Sequence, residues 1–282
     1  QLPFVVLGAV DEAGDVWATL IAGSPGFMHS PDPQVLEFAV VPDPCDPAVA
    51  GLGDGSAIGL LGIELHTRRR NRMNGRVHLG GAGRFAVRVE QAFGNCPQYI
   101  RMRDWQMVRD PDDHAAAPAL LEIDPRDPRV HAAIATADTF FVASYIDEEN
   151  GRHVDASHRG GKPGFVRVND DGSLTIPDFA GNLHFNTLGN FLVNPRAGLV
   201  FPDFATGGLL QLTGEAEVVL ESPEIAAFEG AERLWTFRPR RAVLREEALP
   251  LRFLLKPGGT SPESLMTGDW QQARCRLGAE ER

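Results

Sequence analysis

The chain has 282 residues, a mass of 30.6 kDa, a formal net charge of −11 and a hydrophobic share of 43%. That share excludes a disordered chain, and the acidic balance argues against nucleic-acid binding through phosphate-neutralising surface. No apolar stretch reaches the ~18–20 residues of a membrane span, so no membrane partner is expected.

The cysteines, Cys45, Cys96 and Cys275, are odd in number and form no CxxC. This excludes a disulfide framework or a thiolate zinc site, and suits a reducing, cytoplasmic location. The histidines show no metal-ligand spacing, so no metal is expected.

The chain opens on an apolar run, Leu2 to Val10, that reads as a buried strand. Starting inside a strand suggests a further helical segment upstream. Phe4–Asp11 (FVVLGAVD) finds a parallel 136 residues later in Phe140–Asp147 (FFVASYID). Both runs enter a glycine turn, at Gly14 and Gly151. Pro25-Gly26-Phe27 and Pro163-Gly164-Phe165 follow, 138 residues apart. Gly59-Leu60 with Gly198-Leu199, Thr67 with Thr206, and Gly75 with Gly214 share a separation of 139, and Glu64 falls opposite Asp203. So small a drift indicates one unit used twice.

Between the units, Asn95 can cap a helix over about Pro97–Val108, and Asp110–Pro118 (DPDDHAAAP) reads as linker. A helix over about Pro128–Ala137 leads into the second unit. Its expected strands are Thr139–Ile146, Val154–Ser157, Gly164–Val168, Leu174–Ile176, Ala197–Phe201 and Leu209–Leu220. Asp170-Asp171-Gly172 signals a hairpin, and a short helix over Thr187–Val193 stops at Asn194-Pro195. Closely spaced strands with turns suggest a small antiparallel barrel. Ser264–Leu277 reads as a terminal helix. The chain divides into a first unit (1–109), a linker (110–126), a second unit (127–255) and a tail (256–282).

Several motifs carry possible chemistry. Ser157-His158-Arg159-Gly160-Gly161 ends a strand in a glycine-rich loop, which reads as backbone approaching a bound group or as a polar hairpin. Arg68-Arg69-Arg70-Asn71-Arg72 is the densest basic run. On a strand, Arg68, Arg70 and Arg72 share a face, as a phosphate clamp or as a solvated hairpin. Cys96 opens a helix, as a reactive thiolate or a small buried side chain. No nucleophile and acid are fixed by spacing, so a hydrolytic triad is unsupported.

Asn194-Pro195-Arg196-Ala197-Gly198-Leu199-Val200-Phe201, followed by Leu212-Thr213-Gly214-Glu215-Ala216-Glu217, resembles the pyridoxamine 5'-phosphate oxidase-like family. Asp155-Ala156-Ser157-His158-Arg159-Gly160-Gly161-Lys162-Pro163-Gly164-Phe165, Asn186-Thr187-Leu188-Gly189-Asn190 and Phe93-Gly94-Asn95-Cys96-Pro97 resemble its predicted flavin-nucleotide-binding subgroup. The resemblance covers roughly 140–220 well and the first unit weakly. It implies a mainly β fold with a few helices: two tandem split β-barrels forming an internal pseudo-dimer, with FMN in the groove between them. A homodimer of such chains stays open.

The resemblance makes Ser157, His158, Arg159, Gly160, Lys162, Asp178, Asn182, Asn186, Thr187, Asn190, Arg68 and Arg70 candidate cofactor-binding residues. Asp178 and Asn182 would touch the flavin or form a turn. Many members carry Ser-Arg-Lys at the start of the short helix, where this chain has Phe185, Asn186 and Thr187. The missing cations would be replaced by Arg159 or Lys162, Arg159 first, or by the arginine run. The function implied is an FMN-dependent oxidoreductase or flavin-reductase-like protein with an unidentified small-molecule substrate or electron donor. The alternatives are a non-catalytic flavin or cofactor carrier and a cofactor-free structural protein.

Overall fold

β1 (Phe4–Val10) pairs antiparallel with β2 (Val16–Ala22) and with β5 (Ala57–Glu64), so both its edges are hydrogen-bonded, and every residue of the run is buried. The computed structural model describes residues 2–81, 84–94, 96–113, 120–181 and 184–280. β3 (Met28–Asp32), β4 (Val35–Phe38), β6 (Arg69–Leu79) and β7 (Phe85–Gly94) complete a seven-stranded sheet of order β2-β1-β5-β6-β7-β4-β3. A 3₁₀ turn, Pro47–Gly51, lies between β4 and β5.

The chain continues through β8 (Arg103–Met107), β9 (Leu121–Ile123) and α1 (Pro128–Thr136). Then come β10 (Thr139–Glu148), β11 (Gly151–Gly160), β12 (Arg167–Val168), β13 (Leu174–Phe179), α2 (Asn186–Val193), β14 (Arg196–Pro202), β15 (Leu209–Val219), α3 (Pro223–Ala227) and β16 (Ala231–Arg245). The second sheet has the order β11-β10-β14-β15-β16-β13-β12, with β9 beside β16. Strand for strand, this is the order of the first sheet, and α2 occupies the place of the 3₁₀ turn. β17 (Leu251–Leu255), α4 (Pro262–Leu265) and α5 (Trp270–Glu280) follow, and β17 pairs with β8.

Alternation along β1 and β10 divides the core into layers. Val5, Leu7 and Ala9 face a cluster with Trp17 and Leu60, while Phe140 and Val142 face one with Phe165, Leu199 and Trp235. Val6, Val10, Phe141, Ala143 and Tyr145 meet in a third cluster between the sheets. Burial on two faces is why both runs read as unbroken apolar stretches. Each fully buried large apolar side chain contributes about 1.5–3 kcal/mol.

The register corrects one repeat separation. Gly8 lies opposite Gly59 and Ala143 opposite Gly198, so β1 and β10 correspond at 135 residues and not 136. A one-residue slip exchanges the faces of a strand, and only the 135 match sends Val5 and Phe140 alike into their own cores. The 139 separation appears in two matching bulges, between Asn74 and Gly75 and between Thr213 and Gly214.

The helix expected over 97–108 is instead the strand β8. Tyr99 takes a positive φ of 63°, which breaks a helix, and Arg103–Met107 alternates between inward and exposed side chains. Its backbone groups are satisfied by β17, distant in sequence. β16 escaped detection because Pro239 interrupts its apolar pattern; the proline sits at the bulge, where a missing donor is tolerated. The terminal helix is split into α4 and α5, and Trp270 ties α5 to β12's approach by donating to the Phe165 carbonyl at 2.8 Å.

The sheets approach closely at glycines. A Cβ on Gly59 would stand 2.7 Å from the Asp155 carbonyl carbon, and one on Gly198 would collide with the Val16 carbonyl oxygen. Gly198→Ala is expected to cost about 1–3 kcal/mol by forcing backbone apart. Urea unfolding measures this, and unchanged stability would mean that the interface yields freely.

Candidate functional site

The cleft that gathers most of the candidate residues lies where β6 of the first sheet meets β11, β13 and the start of α2 in the second. Its walls include Arg70, Arg72, Ser157, His158, Arg159, Gly160, Asp178 and Thr187. It encloses 90 Å³, or 820 Å³ when the space open to solvent is counted. A larger cleft, of 750 Å³, lies around Phe201, Phe204 and Phe253, contains none of these residues, and its Arg103 is paired with Asp138 at 2.6 Å.

Arg72 crosses from β6 to β11, donating to Asp155 at 2.8 Å and to the Ser157 hydroxyl at 2.5 Å. Ser157 meets the Thr187 hydroxyl at 2.8 Å, and Thr187 donates to Asp155 at 3.2 Å. Arg72, Asp155, Ser157 and Thr187 are all buried. This network ties both sheets to the first turn of α2. Among the described residues the α2 N-cap, Phe185, makes no side-chain capping bond, and the first turn borders the cleft at Thr187.

Asp178 is a strand residue, not part of a turn, and it holds two arginines. Arg159 donates to it at 2.5 Å and Arg233 at 2.8 Å. Arg70 differs: its Nε donates to the Cys96 carbonyl at 2.6 Å, and among the described residues it has no carboxylate partner. Burial, with the repulsion of Arg72, brings its guanidinium down to about 10, still protonated at neutral pH. Tyr99 packs against Phe179 and donates to the Ala180 carbonyl at 2.9 Å; burial and Glu263 push its phenol up to about 12.

His158 is buried, and among the described residues its Nε2 lacks a partner, as does Arg159 Nε. Burial, then Arg70 and Arg159, hold the imidazole well below its ordinary value of 6.5. Below about pH 6.5 the unfolded chain therefore takes up a proton that the folded chain refuses. This contribution to stability is full above that pH and is lost as pH falls. Unfolding free energy is expected to drop by about 1 kcal/mol between pH 7 and pH 5.5 from this group. His158→Gln should lessen the drop, as denaturation at the two pH values would show; an equal drop removes His158 as its source.

Other candidates lie elsewhere. Arg68 has a positive φ of 61° in the turn before β6, so it does not share the face of Arg70 and Arg72. Its guanidinium instead binds the Ile100, Gly259 and Thr260 carbonyls. Lys162 donates to the Thr267 carbonyl, Asn190 donates to Ser144 at 2.9 Å, and Asn186 begins α2 without lining the cleft. Asn182, like Asn95, lies outside the described residues. A Cβ on Gly160, which lines the cleft, would meet the Tyr99 carbonyl, and one on Gly161 would meet the Phe165 ring. Sequence reading missed Tyr99, Phe179, Glu232 and Arg233. Arg233 was hidden with its strand, and only the Trp235–Phe237 alternation hinted at it.

No helix among the described residues is long and apolar enough to cross a membrane. No family model matches the chain, and no curated protein matches it in sequence. Among solved structures it is similar to HupZ from Group A Streptococcus, at 15% identity, 41% of this chain, 90% of that one and a TM-score of 0.32. It is similar to the FAD binding protein from Mycobacterium smegmatis, at 9% identity, 45% of this chain, 98% of that one and a TM-score of 0.30. A third is a protein of the pyridoxinephosphate oxidase family related to general stress protein 26, from Clostridium acetobutylicum, at 14% identity, 47% of this chain, 96% of that one and a TM-score of 0.33.

Proposed function

We propose that the two sheets are tandem split β-barrels paired within one chain, and that the cleft between them binds FMN for an oxidoreductase reaction. The observation that carries this reading is the convergence of Arg70 and Arg72 from one sheet with Ser157, His158, Arg159 and the uncapped start of α2 from the other.

The donor set suits a phosphomonoester. Such a group carries about −1.5 to −2 charge at pH 7 and needs charge-assisted hydrogen bonds. Arg70 supplies a cation that no carboxylate among the described residues neutralises, and the start of α2 supplies backbone N–H groups at the positive end of the helix dipole. Asn186 and Thr187 stand where the family resemblance implies cations; here a cation would come across from the first sheet. The enclosed 90 Å³ suits a phosphate-sized group, leaving the rest of a nucleotide in the mouth beside Tyr99, Phe179 and Phe185. Among the described residues His158 Nε2 and Arg159 Nε are buried without a partner behind the cleft wall.

A bound flavin would supply hydride or electron transfer, and the chain would supply binding and orientation. The electron donor would be a small molecule, and the working location the cytoplasm. Titration of the protein with FMN, followed by flavin absorbance and fluorescence, tests the binding. Bleaching of the bound flavin by NADH or NADPH supports the oxidoreductase reading; binding without bleaching makes the chain a carrier, and no binding removes FMN.

A further inference from the structure

The cleft has a counterpart built from the equivalent strands. Gly8 pairs with Gly59 and with Ala18, as Ala143 pairs with Gly198 and with Ala156. Continuing along β2 and β11, Thr19 corresponds to Ser157, and Leu20, Ile21 and Ala22 correspond to His158, Arg159 and Gly160. Leu61 lies opposite Arg72 as Val200 lies opposite Gln211, so Gln211 corresponds to Arg72 and Leu209 to Arg70. The crossing contacts join the equivalent strands, though not equivalent residues: Arg72 reaches Ser157 on β11, and Gln211 donates to the Ala18 carbonyl on β2 at 3.0 Å.

In this counterpart the positions of Arg70, Arg72 and Arg159 carry no charge, and the charged lining is instead Asp43, Asp46, Arg109 and Arg245. Leu20, Ile21, Ala22 and Leu209 border a cavity of only 40 Å³. Thr19, Gln211 and Arg245 close on one carboxylate. Asp46, buried at the start of the 3₁₀ turn, accepts from the Thr19 hydroxyl, from Gln211 Nε2 at 3.1 Å, from Arg245 at 2.7 Å and from the Ala48 amide at 2.9 Å. Arg245 also holds Asp43. Thr19, Gln211 and Arg245 are each less than 5% exposed, so these donors face no solvent.

We propose that this is a second anion site, the counterpart of the cleft, occupied by the chain's own Asp46 carboxylate, so that the chain binds one flavin and not two. The anion site stands on the Asp46 cage, while the stoichiometry rests on the FMN reading above. A small carboxylate takes the place of the side chain when Asp46 is cut back to a methyl group.

Asp46→Ala tests this by thermal unfolding in sodium formate against sodium chloride at equal ionic strength. Formate should raise its midpoint saturably, by roughly 3 °C at ten times the formate dissociation constant, through mass action on the folded state. Wild type and Asp46→Asn, whose sites are filled, should respond alike to both salts. Equal responses of Asp46→Ala to formate and chloride would overturn the proposal. If that variant does not accumulate folded, refolding from denaturant in the two salts reads the same property. Recovery in formate alone supports the site, whereas equal recovery or none overturns it. Formate rescue without FMN binding to wild type keeps the anion site and removes the flavin reading. FMN binding without rescue does the reverse, and two flavins per wild-type chain overturns the closed counterpart.

Discussion

Replacing Arg70 by alanine is expected to weaken FMN binding by about 10- to 100-fold, the loss that ~1.5–3 kcal/mol from a charge-assisted hydrogen bond would produce. Arg70 comes first among the cleft arginines because of its partners. Arg72 is committed to Asp155, and Arg159 shares Asp178 with Arg233, so each brings its positive charge with a carboxylate nearby. Arg70 donates only to a carbonyl among the described residues and stays protonated at neutral pH. Arg159→Ala should therefore have the smaller effect, the reverse of the order expected from sequence. Fluorescence titration of both variants decides the order. Wild-type affinity in Arg70→Ala would take the first sheet out of the phosphate site and leave the start of α2 as its anchor.

Replacing Arg72 by methionine is expected to cost about 3–5 kcal/mol of stability, because breaking a buried pair strands the partner charge. Asp155, 3% exposed, would keep the Thr187 and Ser157 hydroxyls but lose its cation. Arg72→Met combined with Asp155→Leu should recover most of the loss, since a buried ion pair replaced by apolar groups of similar volume is often close to neutral. Urea unfolding of the single and double variants measures the coupling. A loss below ~1 kcal/mol in Arg72→Met would mean that water reaches Asp155.

Local features were legible in proportion to how far their causes lie along the chain. α1 needs only its Asp127 cap, with Pro128 behind it, and α2 ends at Asn194-Pro195; both were read within a residue or two. The apolar runs of β1 and β10 and the turn glycines at Gly14 and Gly151 announce strands and turns from within a few residues. The face shared by Arg70 and Arg72 follows from strand periodicity, but the inclusion of Arg68 failed because the strand begins one residue later.

The sequence by itself determined two β-rich units, their turns, and the residue types that would meet an anion. Tertiary structure alone decided the 135-residue register of β1 against β10, because burial between two sheets makes both faces of the run apolar and erases the alternation that marks a face. It alone made Arg103–Met107 a strand, through a partner at Leu251–Leu255. It also assigned the charges their partners. Arg72 meets Asp155 across 83 positions and Arg245 meets Asp46 across 199, separations over which neighbouring residues carry no record of the pairing. A guanidinium is the same in any sequence; whether a carboxylate, a carbonyl or a ligand faces it depends on which strands the fold brings together.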